Sequence, residues 1–260
     1  MLPARLPVRR EMSASRRAAG SHPPRGSKRG QESFPLFLIP KPQTRKHMRR
    51  YAAETIGTFA LVFAGTGAVV IDDITHAVTH VGVAITFGLI VMAMIYTFGD
   101  ISGAHLNPAV TIGFWLSRRL PTKYVAPYIT AQLIGAVAAS AALLAMFGNR
   151  TALGATIPAG SAWQSFALEA VLTGLLMLVI LNVSIGPKET GIMAGIAVGG
   201  VIGLEAMFAG PICGASMNPA RSLAPALLSA NLSSVWIYLT APVLGAVVAV
   251  PLWKLTRPPS

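Results

Sequence analysis

Two Asn-Pro-Ala triplets, Asn107-Pro108-Ala109 and Asn218-Pro219-Ala220, are the residues of this chain best suited to handling a polar solute. Asn is a favoured helix N-cap and Pro a favoured first helical residue, so each triplet starts a helix abruptly. Such a start carries about half a positive elementary charge, and the asparagine amide adds hydrogen-bond donors. A cation facing two of these ends is repelled, whereas a water or alcohol oxygen finds donors. That is chemistry of passage rather than of reaction. An enzyme needs a nucleophile, a base or a metal cluster, and the five histidines (His22, His47, His76, His80 and His105) do not cluster. The single cysteine, Cys213, excludes an intrachain disulfide framework and a cysteine-based metal site. No catalytic residue, metal or cofactor is expected.

Other chemistry-bearing residues are spaced around the triplets. Glu54 precedes the first by 53 residues and Glu169 precedes the second by 49. Carboxylates inside apolar segments are rarely accidental; proton relay is one reading, and support of an irregular backbone segment is the other. Arg221 follows the second triplet directly and is costly in a membrane unless it faces a wet cavity. His105 lies just before the first triplet, where it lines an inner vestibule or, on a second reading, gates it by protonation. Glu205 has no repeat partner and stays open between a bond within the protomer, a subunit contact and a role at the pore mouth. Cys213 falls in the stretch before the second triplet, a candidate for thiol block against the default of a small buried residue.

The elements that must carry these residues are membrane spans. Of the 260 residues, 53% are hydrophobic and only 12% charged, against about 25% charged in an ordinary soluble domain. Mean hydropathy is +0.60. A globule this size cannot hide so much apolar surface, so lipid is the solvent for part of it. The formal charge of +12 is concentrated in the tail: 13 of the 21 Lys and Arg, and two of the nine acids, lie in residues 1–50. Residues 1–48 therefore read as a basic disordered tail outside the folded body, and the electrostatics alone do not make a nucleic-acid partner expected. Beyond it, apolar runs at about 51–71, 81–99, 124–147, 163–185, 190–210 and 233–253 approach the length of a bilayer span, roughly 20 residues. Two further runs, from Asn107 to Leu116 and from Asn218 to Leu228, are half that length.

The chain repeats itself. A glutamate opens a span, a small-residue stretch follows (Ile101 to Leu106, then Ile212 to Met217), and a triplet starts a half-length segment in each half. The copies are bounded at 49–120 and 163–255 within a channel domain at 49–255, with 256–260 a short C-terminus. Three spans per half is an odd number, so the second copy sits upside down, and paired broken elements of an inverted repeat meet near the midplane at the substrate site. An N-terminus inside the cell puts 19 of the 21 bases on the tail's side, which predicts two cytoplasmic termini. Gly195, Gly199 and Gly203 repeat at four-residue spacing, the mark of a close helix crossing.

Three stretches carry a family resemblance: Ala53-Glu54-Thr55-Ile56-Gly57-Thr58, Ser102-Gly103-Ala104-His105-Leu106-Asn107-Pro108-Ala109-Val110-Thr111 and Ser216-Met217-Asn218-Pro219-Ala220-Arg221-Ser222. Over about residues 49–255 the chain resembles the aquaporin (major intrinsic protein) family. The resemblance implies an all-α right-handed bundle of six tilted helices and two re-entrant half-helices, a pore in every protomer and a homotetramer in the cell membrane. It implies that Glu54 and Glu169 accept backbone N–H groups from the pre-triplet strands. It also places Arg221 in a selectivity filter with Phe87, Ala206 and Ala215. Strict water channels usually have His where this chain has Ala206, and glycerol-selective members usually have Asp where it has Ser222. The pattern most resembles the nodulin-like branch and its bacterial relatives, which pass water, glycerol and undissociated metalloid acids. The competing reading, a coupled secondary transporter, wants a titratable pair or sodium site where this chain has two asparagines.

Overall fold

The computed structural model describes residues 43–184 and 193–256. They form eight α-helices: α1 (Gln43–Thr75), α2 (Thr79–Ser102), α3 (Pro108–Leu116), α4 (Val125–Phe147), α5 (Ala162–Val183), α6 (Ala194–Cys213), α7 (Pro219–Leu228) and α8 (Val235–Thr256). Among the described residues six helices are long and apolar enough to cross a membrane. The other two, α3 and α7, have nine and ten residues and reach about 15 Å.

Several boundaries differ from the sequence reading, and hydropathy explains why. It marks where lipid ends, not where the helix ends. The tail was expected to run to residue 48, yet α1 begins at Gln43 and continues through Asp72 and Asp73 to Thr75. The second apolar run was placed at 81–99, yet α2 runs on through Asp100 to Ser102 and ends where Gly103 adopts φ +91°. α6 does not stop at Gly210 but runs through Pro211 to Cys213, capped by Gly214 at φ +83°. The first repeat also reaches beyond residue 120. α4 packs on α1 as α8 packs on α5, so it is the third spanning helix of the first half.

Glycines set the closest helix approaches. A Cβ on Gly135 of α4 would stand 2.2 Å from the Thr55 carbonyl oxygen, and one on Gly245 of α8 would stand 2.2 Å from that of Ala170. Thr55 and Ala170 each follow a repeat glutamate, so these contacts seat Glu54 and Glu169 at matching depths. Between α2 and α6, a Cβ on Gly88 would lie 2.6 Å from the Gly199 oxygen, and one on Gly199 would lie 2.5 Å from the Gly88 oxygen. The two halves are an inverted repeat of three spans and one half-helix.

Candidate functional site

Asn107 and Asn218 cap the two half-helices as their residue types require. The Asn107 Oδ1 accepts the Ala109 N–H at 2.8 Å, and the Asn218 Oδ1 accepts that of Ala220 at 3.0 Å. Their amide nitrogens then cross to the opposite half. Asn107 Nδ2 donates to the Met217 carbonyl at 2.7 Å and Asn218 Nδ2 donates to the Leu106 carbonyl at 2.9 Å. The half-helices thus meet tip to tip. Each amide has two N–H groups, so one is spent holding the junction and one is left for the lumen that both asparagines line.

The strands before the triplets are strained. Ala104, Leu106, Ala215 and Met217 all have φ between +40° and +54°, at a cost of order 1–3 kcal/mol each. The repeat glutamates hold them there. Glu54 accepts the N–H groups of His105 (2.9 Å) and Leu106 (2.7 Å), the Ser102 hydroxyl (2.7 Å) and the Gln132 amide (2.8 Å). Glu169 accepts those of Ser216 (2.7 Å) and Met217 (2.8 Å). Both carboxylates are fully buried.

A symmetric tyrosine pair completes the frame, and the sequence reading missed it. Tyr128 donates its hydroxyl to the Ser102 carbonyl at 2.8 Å, and Tyr238 donates to that of Cys213 at 2.7 Å, each closing the end of the helix before a pre-triplet strand. The signal was available: Tyr-X-Thr-Ala-X-X-X-Gly-Ala-Val occurs at 128–137 and again at 238–247.

Two cavities follow the junction. The inner one, about 100 Å³, passes His105, Asn107, Asn218 and the apolar wall of Val91, Val198 and Ile202. The outer one, about 300 Å³, is bordered by Asp72, His80, Gly154 and Gly210. Their linings share four residues, Phe87, Ala206, Ala215 and Arg221. Arg221 is 4% exposed, stacks over Phe87 with its guanidinium carbon 5.0 Å from the ring centroid, and donates from Nη1 to the Gly154 carbonyl at 2.8 Å.

That carbonyl comes from the segment between α4 and α5, which the sequence reading passed over. The segment dips inward: Leu153 is fully buried and Gly154 turns at φ +70° against Thr66. Thr156 then donates to the Ser222 hydroxyl at 2.7 Å, fixing the second half-helix from the same side. Its one sequence signal was an isolated Leu between Gly148 and Gly154.

The remaining candidates fall off or beside this path. His105 packs on Phe114 at 4.5 Å between centroids, places Nδ1 3.2 Å from the Thr111 hydroxyl, and lines the inner cavity. Glu205 is fully buried, lines neither cavity, and has no hydrogen-bond partner for either oxygen among the described residues. Cys213, expected in the stretch before the second triplet, is instead the last residue of α6, fully buried, with Sγ 3.5 Å from the Ala209 carbonyl. An impermeant organomercurial should therefore leave solute flux unchanged; a block that disappears in Cys213→Ala would contradict that placement.

The profile of the major intrinsic protein family matches residues 41–253. Aquaporin NIP1-4 of Oryza sativa subsp. japonica is 45% identical over 217 residues, covering 83% of this chain and 80% of its own. Nodulin-26 of Glycine max is 41% identical over 229 residues, covering 87% and 82%. Among solved structures, the aquaglyceroporin from Plasmodium falciparum superposes with a TM-score of 0.70 at 28% identity, covering 81% of this chain and 100% of its own. With the repeated triplets, the tip-to-tip half-helices and six spanning helices already in place, these matches show that the chain belongs to the major intrinsic protein family, that of the aquaporins.

Proposed function

We propose that the chain is a passive channel for water and small uncharged solutes, glycerol and undissociated metalloid acids among them, that excludes ions and protons. The observation that carries this reading is the pair of cavities with a four-residue collar in common. In it, Phe87, Ala206, Ala215 and Arg221 act as the selectivity filter. Arg221 supplies a fixed positive charge and donors, Phe87 an apolar face, and the two alanines leave space where a bulkier pair would admit water alone. The asparagine amides then take over the solute's hydrogen bonds, while the two half-helix dipoles oppose a cation and orient water so that a proton wire is broken. Glu54 and Glu169 support the strands and do not relay protons, because their oxygens are occupied by backbone donors. His105 lines the vestibule.

The channel is read as a homotetramer in the cell membrane with both termini cytoplasmic. The distribution of bases supports that orientation, and the names of the relatives, aquaporins and an aquaglyceroporin, support the solute class.

Stopped-flow light scattering on proteoliposomes under sucrose and then glycerol gradients is the test. Shrinkage no faster than in empty vesicles defeats the reading. Ala206→His fills the collar with a ring and should cut glycerol flux by about tenfold or more, the discrimination a small change in pocket volume gives, while water flux falls far less. Equal loss of both would remove Ala206 from the filter.

A further inference from the structure

Pro211 lies inside α6, and a proline nitrogen has no hydrogen to donate. The helix carbonyl it leaves without a donor, four residues earlier, is that of Met207. His80, in the first turn of α2, stands in: its Nε2 lies 2.7 Å from the Met207 oxygen. A carbonyl only accepts, so the ring donates from Nε2–H. Gly210 makes room for it, since a Cβ there would come 2.7 Å from His80 Cε1. The start of α2 is itself tied to α1, because the Thr79 N–H donates to Asp72 Oδ1 at 2.6 Å. His80 and Gly210 border the outer cavity, and Met207 adjoins Ala206 of the collar.

We propose that His80 is a positioning residue of the outer mouth: from α2 it supplies the hydrogen bond that Pro211 withholds from Met207, and so fixes the turn that carries Ala206 and the width of the collar. A helix can absorb a proline by kinking and exposing the freed carbonyl to water. Here the carbonyl is taken by a side chain carried on another helix, so the turn that bears Ala206 has one defined position. The inference rests on the channel reading above.

The test is the ratio of erythritol to glycerol permeability in proteoliposomes of equal protein content. With the donor removed, His80→Ala should raise the ratio about fivefold, the weight of one ordinary hydrogen bond. His80→Gln, whose amide can still donate, should stay near wild type. Pro211→Ala restores the backbone N–H, so His80→Ala combined with Pro211→Ala should return to the ratio of Pro211→Ala alone. An unchanged ratio in His80→Ala overturns the proposal. So does a double variant that keeps the His80→Ala ratio, or His80→Gln behaving as His80→Ala. Wild-type vesicles that pass nothing would defeat the channel reading instead. The contact would then be decided by solid-state 15N NMR of His80, where a ring protonated at Nδ1 alone overturns it.

Discussion

Glu54→Leu is expected to abolish channel activity and to prevent recovery of folded protein from detergent, the largest effect of any single substitution considered. The leucine fills a similar volume but strands four buried donors: the N–H groups of His105 and Leu106, the Ser102 hydroxyl and the Gln132 amide. A buried donor left without a partner costs about 1–3 kcal/mol, so the loss approaches the whole stability of an ordinary domain, about 5–15 kcal/mol. The strained backbone at Ala104 and Leu106 would also lose what holds it. Two comparisons sharpen the expectation. Glu169→Leu strands two backbone donors rather than four and should be milder. Glu54→Gln should be milder still: its one oxygen keeps the His105 N–H and the Ser102 hydroxyl, Gln132 can turn its amide over and offer Oε1 to the new NH2 group, and the Leu106 N–H alone loses its acceptor. Size-exclusion recovery and water flux measured on all three would check the order. Glu54→Leu recovered intact with wild-type flux would mean that the carboxylate does not support the strand.

The order of those effects depends on details of uneven visibility in the sequence. Glu54, Glu169 and the triplets were legible because each half states them at nearly the same spacing, and a repeated local rule is hard to produce by chance. Helix ends were less so. Asp72, Asp73, Asp100 and Pro211 look like interruptions, but a spanning helix continues past the hydrocarbon into water, where acids are cheap. A proline within it is tolerated when another group satisfies the freed carbonyl. Gly154 was invisible for another reason. Its contribution to Arg221 is a backbone oxygen, which every residue has, so no side-chain pattern announces it. The tyrosine pair was legible and overlooked, since it lies outside the segments on which the triplets focus attention. Glu205 stands apart: the sequence left its role open, and the fold buries it with neither oxygen partnered among the described residues.

Arg221→Val carries the second largest expected effect, and its sign separates two jobs of one side chain. The guanidinium is the one charged group in the collar shared by the two cavities, and it projects across Phe87. A monovalent cation about 5 Å away, at an effective dielectric of about 20, is repelled by roughly 3 kcal/mol, which is more than a hundredfold in permeation rate. Valine removes that barrier along with the bulk. Sodium or potassium conductance should therefore rise from background by about two orders of magnitude, and glycerol flux should rise with it. Water flux should change little, since the asparagine junction is untouched. Rejection of protons should persist in part, because the half-helix dipoles at Asn107 and Asn218 remain. Arg221→Lys provides the control. It keeps the charge but lacks the planar fork that reaches the Gly154 carbonyl, so it should restore ion exclusion while leaving glycerol flux raised. Ion-flux assays on oriented vesicles, run beside the light-scattering measurement, distinguish these outcomes. Cation conductance that stays at background in Arg221→Val would show that exclusion resides wholly at the asparagines, and the collar would then be a sieve for size alone.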